Sequence, residues 1–329
     1  MITRSPETDK FLESLDAKRT VVLTDKNVEQ LVLPKLSALS SFQYISIAPG
    51  ETSKRKETVD EILLQMHRLG MDRNSTFIGL GGGVVTDLAG FCASIYMRGI
   101  KVVHFPTSLL AMVDAAIGGK TGINTSWGKN MVGTFHQPEA VLYQPDVLQT
   151  LPERHLKCGF IEAWKTIVMC RPMDWQKLTY PLSESQIIEV ANTKLQLVEE
   201  DFLEQNKRAW LNFGHTIGHA FEHLYHQSHD LLHGEAIAWG MMAEMYLFDA
   251  DKDMLAHWEK WVLENIPKLP FTPADTDQLL DIMQADKKSK DGTLYVALPY
   301  KEGSAVVPVK KDALAKALDR LWQKHLSHV

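Results

Sequence analysis

The sequence predicts two domains of different architecture, an α/β domain over residues 1–150 and a mainly α-helical domain over residues 151–329. The length favours two domains, since a domain averages roughly 150 residues. Before residue 150, short β-rich runs alternate with segments of helical apolar spacing, a pattern typical of a parallel sheet with helices on both faces. After Leu151 helical spacing dominates. Because no linker separates the halves, we expect a functional cleft between them.

In the first half, four apolar runs predict strands of this parallel sheet. They are Thr20–Thr24, Tyr44–Ile47, Thr76–Leu80 and Lys101–Phe105. Apolar residues from Val59 to Leu69 recur at helical spacing, and Gly70 is a natural helix end. A second helix is predicted from the glycines at 81–83 to Tyr96.

The second half predicts four helices and one hairpin. The helices cover residues 152–168, 184–204, 208–224 and 233–250, and the hairpin strands cover residues 293–298 and 305–307. Neither repeats nor low-complexity tracts interrupt this order.

The composition excludes several classes of protein. A net charge of −6 argues against a nucleic-acid-binding protein. No apolar run reaches the ~18 residues needed to span a bilayer. The N-terminus has no apolar signal core, so we expect a cytoplasmic protein. The three cysteines, Cys92, Cys158 and Cys170, form no CxxC pair, which suits a reducing compartment. A metal site would therefore use histidine and carboxylate ligands.

The segment WLNFGHTIGH at residues 210–219 places two histidines on one predicted helical face. His215 and His219 are four residues apart, a spacing that can hold a metal ion, or a metal ion and a substrate group. Gly214 and Gly218 lower helix propensity and so indicate close backbone approach. His233 could complete the site from a second helix. The alternative is a pair of surface or core histidines, because this spacing recurs easily.

Two glycine-rich segments indicate anion sites. Gly79–Asp87 follows a strand and opens a helix, where backbone N–H groups attract phosphate. It is neither the GxGxxG fingerprint, which Val84 breaks, nor a Walker loop. Asp87 is expected in the first helical turn, where a carboxylate suits the helix dipole. The alternative is a tight strand-to-helix turn.

The second segment, residues 114–130, combines glycines with lysines and asparagines, which makes an anion pocket plausible. Asp114 follows an apolar run, so we expect it to be half-buried and to have a partner. The alternative is a solvated loop whose lysines bind nothing specific.

Charged residues on the predicted helices have a simple interpretation when taken alone. Glu162 and Lys165 are three residues apart and predict an exposed ion pair. A mixed-charge series predicts a solvated face, and it leads directly to Asn212 and His215. The series is Lys194, Asp201, Glu204 and Arg208.

Eight motifs together resemble the dehydroquinate synthases of the sugar-phosphate cyclase family. In chain order they are GGGVVTDLAGF, YMRG, VDAAIGGKTGIN, GKN, TLPER, RAWLNFGHTIGHAFE, LHGEA and DKK, and the resemblance covers about Asp25 to Pro299. It implies a Rossmann-like NAD-binding domain over residues 1–150 and a metal- and substrate-binding domain over residues 151–329. It also implies a homodimer that acts on a small sugar phosphate and binds neither nucleic acid nor membrane.

The reaction that the resemblance implies converts 3-deoxy-D-arabino-heptulosonate 7-phosphate to 3-dehydroquinate and phosphate in the shikimate pathway. It would proceed by transient oxidation with NAD+, β-elimination of phosphate, re-reduction, ring opening and an intramolecular aldol step. Such a reaction needs a metal ion, a dinucleotide, a phosphate pocket and an acid–base cluster.

The resemblance also implies a role for individual residues. A catalytic Zn2+ ion, or Co2+, would be held by Glu162, His215 and His233. Proton handling and contacts to the substrate's hydroxyls would involve Glu204, His219, Lys165 and Asp114. The substrate's carboxylate and phosphate would be held by Lys194, Arg208, Lys120, Asn130, Asn212 and one of Lys287 and Lys288, with Arg98 reaching into the neighbouring subunit's site. The implied contacts to NAD+ are Asp25, Asn27, Glu51, Lys54, Gly82, Gly83, Val84, Asp87, Thr107, Ser108, Lys129 and Thr150.

Some residues depart from the family pattern, and three alternatives stay open. Thr86 stands where glycine is common, Ala115 and Ala116 stand where a serine pair is usual, and Cys158 replaces an asparagine or small residue. The alternatives are another sugar-phosphate cyclase, a metal-dependent polyol dehydrogenase that releases NADH, and a non-catalytic descendant. The complete set of metal, phosphate and carboxylate residues favours the dehydroquinate synthase interpretation.

Overall fold

The computed structural model describes residues 2–4, 7–248, 250–285, 293–300 and 303–327. The chain divides into two compact units. Met1–Gly159 and Ser183–Gln196 form the first unit, and Phe160–Leu182 and Leu197–Val329 form the second. The functional division at residue 150 stays a prediction.

The first unit contains a parallel sheet. Six of the described strands form it in the order β1-β8-β5-β4-β2-β3, and every neighbouring pair is parallel. The four strands predicted from sequence are confirmed as β2, β3, β4 and β5, whereas β1 and β8 are too short to show a periodic pattern. In chain order the elements are β1 (Ile2–Arg4), α1 (Glu7–Glu13), β2 (Thr20–Asp25), α2 (Lys26–Leu31), β3 (Gln43–Ile47), α3 (Lys56–Arg68), β4 (Thr76–Gly81), α4 (Gly83–Ile95), β5 (Lys101–Pro106), β6 (Ile123–Thr125), β7 (Gly128–Val132) and β8 (Ala140–Tyr143).

The centre of the sheet is buried on both faces, which explains its continuous apolar sequence. Every residue of β4 is buried. Ile62 and Met66 of α3 belong to the same apolar core as Phe77, and burial of each such side chain contributes about 1.5–3 kcal/mol. Gly70 follows α3 with φ +74°, and the Met71 N–H bonds back to the Met66 carbonyl oxygen at 3.1 Å. Gly70 therefore ends the helix as predicted.

The strand order creates a switch point between β2 and β4. The chain leaves β2 towards β3 on one side of the sheet, and it leaves β4 towards β5 on the other side. Ligands of open α/β sheets bind beyond the carboxyl ends of the strands at such a point. Because Asp25 ends β2 and Gly81 ends β4, the predicted cofactor contacts of both strands lie at this edge.

The second half of the chain is mainly helical. Its hairpin is antiparallel, which confirms the predicted pair of strands. No helix within the described residues is long and apolar enough to cross a bilayer. The elements are α5 (Glu153–Cys170), α6 (Glu184–Glu200), α7 (His215–His229), α8 (His233–Met245), α9 (Lys252–Asn265), α10 (Thr276–Ala285), β9 (Leu294–Tyr300), β10 (Gly303–Val309) and α11 (Lys311–Leu321).

Three predicted helices are wrong in extent. The helix predicted over 184–204 ends at Glu200, and Glu204 has φ +59°. The helix predicted over 233–250 ends at Met245. The helix predicted over 208–224 begins only at His215, because residues 207–212 form a 3₁₀ turn and Gly214 has φ +78°. A positive φ interrupts a right-handed helix, so His215 becomes the first residue of α7.

Candidate active site

Three potential metal ligands from three helices meet in the second unit. Glu162 lies on α5, while His215 and His233 are the first residues of α7 and α8. Glu162 Oε1 lies 3.9 Å from His215 Nε2 and 3.6 Å from His233 Nε2. One ligand atom of each residue lies within 4.8 Å of the other two. A single zinc ion can contact donor atoms at this spacing, since its bonds to nitrogen and oxygen are about 2.0–2.2 Å long.

Glycines bring α7 and α8 into backbone contact. A Cβ on Gly240 of α8 would lie 2.1 Å from the Gly214 carbonyl oxygen, and one on Gly218 would lie 3.0 Å from the Ala236 oxygen. The approach at Gly240 is too close for a Cβ, so the packing requires glycine there, and the tight approach at Gly218 favours glycine. The predicted close backbone approach is confirmed. The packed helices hold the His215 and His233 rings 5.5 Å apart.

Hydrogen-bond acceptors at the Nδ1 side of each ring orient the imidazoles of His215 and His233. His215 Nδ1 lies 3.0 Å from the Phe213 carbonyl oxygen, and His233 Nδ1 lies 3.0 Å from Glu222 Oε2. Because these oxygens accept, each Nδ1 carries a proton and each Nε2 is left for a ligand. Such acceptors commonly support ligating histidines. The sequence assigned no role to Glu222, although its position three residues after His219 on one helical face was a usable signal.

The charges around His233 favour a cation. Burial alone would lower the pKa of His233, but Glu222 and Glu162 outweigh it and raise the pKa to about 10. The carboxylates that hold a proton on this ring would equally attract a divalent cation in its place. One carboxylate and two imidazoles without a thiolate form a donor set that fits zinc or cobalt.

Lys165 and Glu162 form a buried ion pair. They lie one turn apart on α5 with 2% and 1% of their side chains exposed, and their charged atoms are in short contact. The exposed ion pair predicted from their spacing is therefore wrong, because both side chains lie on an inward face of α5. Burial makes the ammonium group costly to leave unpaired, so Lys165 stays beside the carboxylate of the metal-ligand group.

His219 lies beside the metal-ligand group. Its ring is 5.1 Å from the His215 ring and 5.8 Å from the His233 ring. His219, Glu222 and His233 also form a second group with ligand atoms within 4.8 Å. The two groups share His233, and only the group with Glu162 leaves the Glu222 carboxylate to orient that ring. The geometry therefore favours Glu162, His215 and His233 as the ligands.

A buried aspartate shapes the loop that carries Glu204 and Arg208. Asp201 accepts hydrogen bonds from the backbone N–H groups of Gln205, Asn206 and Arg208 at 2.9, 2.8 and 2.9 Å. Burial raises the pKa of Asp201, but these donors and the Arg208 charge outweigh it, so the pKa lies below its ordinary value. Asp201 and Arg208 are both buried. The predicted solvated face is wrong at these positions, because the loop folds back onto the carboxylate.

Glu204 and Asn212 are joined within the same loop region. Asn212 Nδ2 donates to Glu204 Oε1 at 2.8 Å. The positive φ of Glu204 is uncommon for a residue with a side chain, and backbone strain of this kind clusters at functional sites. Arg208 Nη1 donates to the Phe202 carbonyl oxygen at 2.6 Å, which restricts the guanidinium group.

In the first unit, Lys194 and Asp114 form an ion pair. Lys194 Nζ lies 2.7 Å from Asp114 Oδ1 and 2.7 Å from the Asp114 carbonyl oxygen. Asp114 lies in a π-helical turn, Ala111–Ala115, a geometry that is frequent at functional sites. Its side chain is 24% exposed. The prediction that Asp114 is half-buried and paired is confirmed, and the predicted solvated face is wrong at the buried Lys194.

The turn after β4 has the backbone geometry of an anion site. Gly82 is the N-cap of α4, and the first bond inside the helix runs from the Thr86 N–H to the Gly82 carbonyl oxygen at 3.1 Å. The preceding N–H groups, including those of Gly83 and Val84, therefore lack acceptors within the helix. A Cβ on Gly82 would lie 3.3 Å from Ser108 Oγ. At the end of the neighbouring β2, Asp25 accepts the N–H groups of Asn27 and Val28 and caps α2.

A buried lysine connects several of the predicted cofactor and substrate contacts. Lys54 is in short contact with Asp87 and donates to Asn130 Oδ1 at 2.5 Å. Asp87 is the fifth residue of α4, so its predicted place in the first turn is wrong. Burial raises the pKa of Asp87, although Lys54 opposes this. Asn124, one of the asparagines of the segment predicted as an anion pocket, donates to Glu51 Oε1 at 2.7 Å and accepts the Asn130 N–H at 3.0 Å.

Most of the other predicted contacts of the first unit lie on turns and loops, but Lys129 lies on β7. The Thr107 N–H bonds to the Gly81 carbonyl oxygen at 2.9 Å, and Thr150 Oγ1 donates to the Val147 oxygen at 2.9 Å. Arg98 follows Met97 in a strained turn, with φ values of +69° and +48°. The solvent-exposed members of the predicted set within the described residues are Asn27, Arg98, Lys120, Lys129 and Asn130. Lys287 and Lys288 lie outside the described residues.

The residues that depart from the family pattern are accommodated by local packing. Thr86 is buried, and its hydroxyl donates to the Gly83 carbonyl oxygen at 3.1 Å. A Cβ on Gly83 would lie 3.3 Å from the Cβ of Ala115, so a small residue at 115 preserves this contact. Ala116 and Cys158 are buried.

Comparison with known sequences decides the family. Residues 44–158 match the family described as 3-dehydroquinate synthase N-terminal, and residues 155–289 match 3-dehydroquinate synthase C-terminal. The chain belongs to the 3-dehydroquinate synthase family. The 3-dehydroquinate synthase of Solibacter usitatus is 37% identical, over 95% of this chain and 93% of that protein. That of Thermococcus kodakarensis is 38% identical, over 92% of this chain and 89% of that protein. The resemblance drawn from the eight motifs is confirmed.

Solved structures confirm the fold. A 2-epi-5-epi-valiolone synthase from Streptomyces hygroscopicus subsp. jinggangensis, with NAD+ and Zn2+ bound, has a TM-score of 0.82 at 25% identity and matches 98% of this chain and 97% of its own. A glycerol dehydrogenase from Schizosaccharomyces pombe has a TM-score of 0.65 at 17% identity and matches 100% of this chain and 91% of its own. Because a dehydrogenase shares the fold, it is the sequence that places the chain among the 3-dehydroquinate synthases.

Proposed function

We propose that this chain is an active 3-dehydroquinate synthase, a carbon–oxygen lyase that converts 3-deoxy-D-arabino-heptulosonate 7-phosphate to 3-dehydroquinate and phosphate. One observation carries the proposal. The chain belongs to this family, and its Glu162, His215 and His233 converge, with both imidazoles oriented by hydrogen bonds at Nδ1. A non-catalytic descendant would be under no constraint to keep oriented ligands at a buried carboxylate.

The proposed activity uses a zinc or cobalt ion and NAD+. When bound, the metal ion polarises substrate oxygens, and the nicotinamide takes up a hydride and returns it within one turnover. The donor set of the second unit, the open first turn of α4 and the NAD+ and Zn2+ bound to the related Streptomyces enzyme support this. We propose that Gly82, Gly83 and Val84 contact the pyrophosphate through the helix N-terminus. The other proposed contacts to NAD+ are Asp25, Asn27, Glu51, Lys54, Asp87, Thr107, Ser108, Lys129 and Thr150.

Two groups are proposed to handle protons. Glu204 can accept a proton in a fixed orientation because Asn212 donates to its carboxylate. His219 lies beside both histidine ligands, within the region where an acidified C–H or hydroxyl of the substrate would be held. General acid–base groups contribute about 10²–10⁴ in rate when they are so positioned.

The remaining charged and amide groups are proposed to hold the substrate. Lys165 and Asp114 would bind its hydroxyls, and Lys194 and Arg208 would neutralise its carboxylate. Phosphate is the leaving group in this reaction. The residues that hold it therefore affect rate as well as affinity, because they fix the departing anion beside the acidified C–H. The proposed phosphate contacts are Lys120, Asn130, Asn212 and one of Lys287 and Lys288.

We propose that the active form is a homodimer and that Arg98 acts in the partner's site. Arg98 is exposed on a turn with two consecutive positive φ values. Such strain is retained where the side chain must be presented in one direction. Size-exclusion chromatography with light scattering should give twice the mass of the chain. A monomer with full activity would contradict this.

Phosphate release from the heptulosonate phosphate tests the function. We expect turnover with catalytic amounts of NAD+, no steady rise in NADH absorbance, loss of activity on dialysis against a chelator and recovery with Zn2+. Another sugar-phosphate cyclase would release no phosphate from this substrate. A polyol dehydrogenase would accumulate NADH with glycerol. Full activity of a metal-free preparation would rule out the proposed metal site.

A further inference from the structure

Glu244 is a fully buried carboxylate that lies outside the metal-ligand group. It lies in the last turn of α8, and 0% of its surface is exposed. Its Oε2 accepts the Gly214 N–H at 2.7 Å, and its Oε1 accepts the N–H groups of Thr216 and Ile217 at 3.0 and 3.2 Å. Gly214 has no side chain with which to cap α7, so Glu244 caps that helix from its neighbour.

The three bonded N–H groups bracket a metal ligand. Gly214 precedes His215, and Thr216 follows it, so the carboxylate fixes the backbone on both sides of His215. The short distance is possible because Gly240, one turn before Glu244, lets the backbones of α7 and α8 touch. The same α8 begins with His233. One helix therefore carries one ligand and anchors the other.

The charge of Glu244 also matters. Each histidine ligand is the first residue of a helix, where the helix dipole is positive and disfavours a nearby cation. Glu244 places a negative charge on the first turn of α7. Glu235, also buried, accepts the Leu232 N–H at 2.9 Å at the start of α8. Both positive ends are thus opposed by a buried carboxylate.

We propose that Glu244 is a positioning residue that sets the metal affinity of the site by holding the first turn of α7 around His215. The proposal rests on Glu162, His215 and His233 as the metal ligands. It differs from a purely structural role in one respect: loss of the carboxylate should weaken metal binding in protein that is still folded.

The test compares Glu244→Gln with Glu259→Gln. Glu259 is a matched control, since it is a mostly buried carboxylate of the second unit that accepts the Tyr246 hydroxyl at 2.5 Å and pairs with Lys324. Zinc dissociation constants would be measured on metal-free protein by competition with a chromophoric chelator, and folding by circular dichroism. We expect Glu244→Gln to bind zinc about 10–100-fold more weakly, as losses of outer hydrogen bonds do. Glu259→Gln should stay within about twofold of the wild type, because it touches no proposed ligand.

Two further variants keep the outcome interpretable. Glu244→Asp retains the charge and serves as the test variant if Glu244→Gln does not fold. It should bind zinc with an affinity between those of the wild type and Glu244→Gln, and its Co2+ form should have an altered absorption spectrum. In a His215→Ala background, Glu244→Gln should cause no additional loss of zinc affinity, since the residue it positions is gone. Equal zinc affinities in folded Glu244→Gln, Glu244→Asp and wild-type protein would overturn the proposal. A wild-type protein that binds no zinc would instead overturn the proposed metal site.

Discussion

Two helices begin after a glycine, and their first backbone N–H groups have opposite surroundings. α4 follows Gly82, which has no side chain to cap the first turn. α7 follows Gly214, and the Glu244 carboxylate accepts three N–H groups there. The first arrangement leaves a positive helix end for an anion such as pyrophosphate. The second neutralises the helix end, so that an imidazole on it can hold a cation.

The difference shows that glycine before a helix does not by itself define the ligand. Glycine permits close approach in both places, to Ser108 in the first unit and to Met241 in the second. The charge of the group that contacts these N–H groups decides whether the helix end can bind an anion or can carry a residue that binds a cation. At α7 that group comes from a residue thirty positions later in the chain.

The largest effect should come from removing a histidine of α7. His215→Ala should lose both bound zinc and turnover, because it removes a proposed ligand. His219→Ala should retain zinc while turnover falls about 10²–10⁴-fold, as expected for a lost acid–base group. Elemental analysis and a phosphate-release assay would measure the two properties on the same preparations. If both variants lose zinc equally, His215 and His219 are both ligands, as the HxxxH spacing allows.

A smaller effect should follow from giving α4 the charge that α7 has. Gly82→Asp would add a carboxylate to the open first turn and repel pyrophosphate, so NAD+ affinity should fall at least about tenfold, or about 1.4 kcal/mol. Gly82→Ala is the matched control, because it adds the Cβ near Ser108 without the charge. Calorimetric titration with NAD+ would measure both, and zinc content should stay normal. Identical affinities of the two variants would show that charge at this turn is irrelevant.

A third effect concerns stability rather than ligand binding. Asp201 accepts three N–H groups in a loop, so Asp201→Asn should lower the free energy of unfolding by about 1–3 kcal/mol near neutral pH. Because its folded-state pKa lies below the ordinary value of 3.8, this stabilisation is present above that value and is lost as the pH falls through the folded-state pKa. Urea unfolding at several pH values should therefore show wild-type and variant curves converging in acid.

A control separates buried from surface charge in that experiment. Asp174 also has a lowered pKa, but its partners are the side chains of Lys177 and Arg171 at the surface. Asp174→Asn should change stability less, and salt should abolish the change. If salt also abolished the loss of stability in Asp201→Asn, the Asp201 carboxylate would act as a surface charge like that of Asp174.

The periodic parts of the fold were predictable from the sequence. β2 to β5, the hairpin and the helical HxxxH face all have a local pattern, because burial of one or both faces leaves a repeat in the chain. The start of α7 was not predictable, since the 3₁₀ turn and the positive φ of Gly214 depend on the helix that packs against it. The helix predicted over residues 208–224 therefore extended across this break.

Burial of charge was harder to predict than secondary structure. Spacing places Glu162 and Lys165 on one face, but the same spacing describes solvated pairs, so the exposed pair that it predicted was wrong. Glu244 and Asp201 have backbone N–H groups as partners, and such donors exist at nearly every residue. Their roles therefore leave no motif in the sequence, whereas the histidines and glycines do.

The length of α8 is constrained because a proposed metal ligand lies at its start and the carboxylate that caps α7 lies in its last turn. Glu244 lies eleven positions after His233 in continuous helix, and each residue advances the helix by about 1.5 Å and turns it by about 100°. Inserting or deleting a single residue between them would rotate Glu244 away from Gly214 while leaving His233 in place. In an insertion scan, we therefore expect the flanking segments to accept extra residues and the interior of α8 to refuse even one.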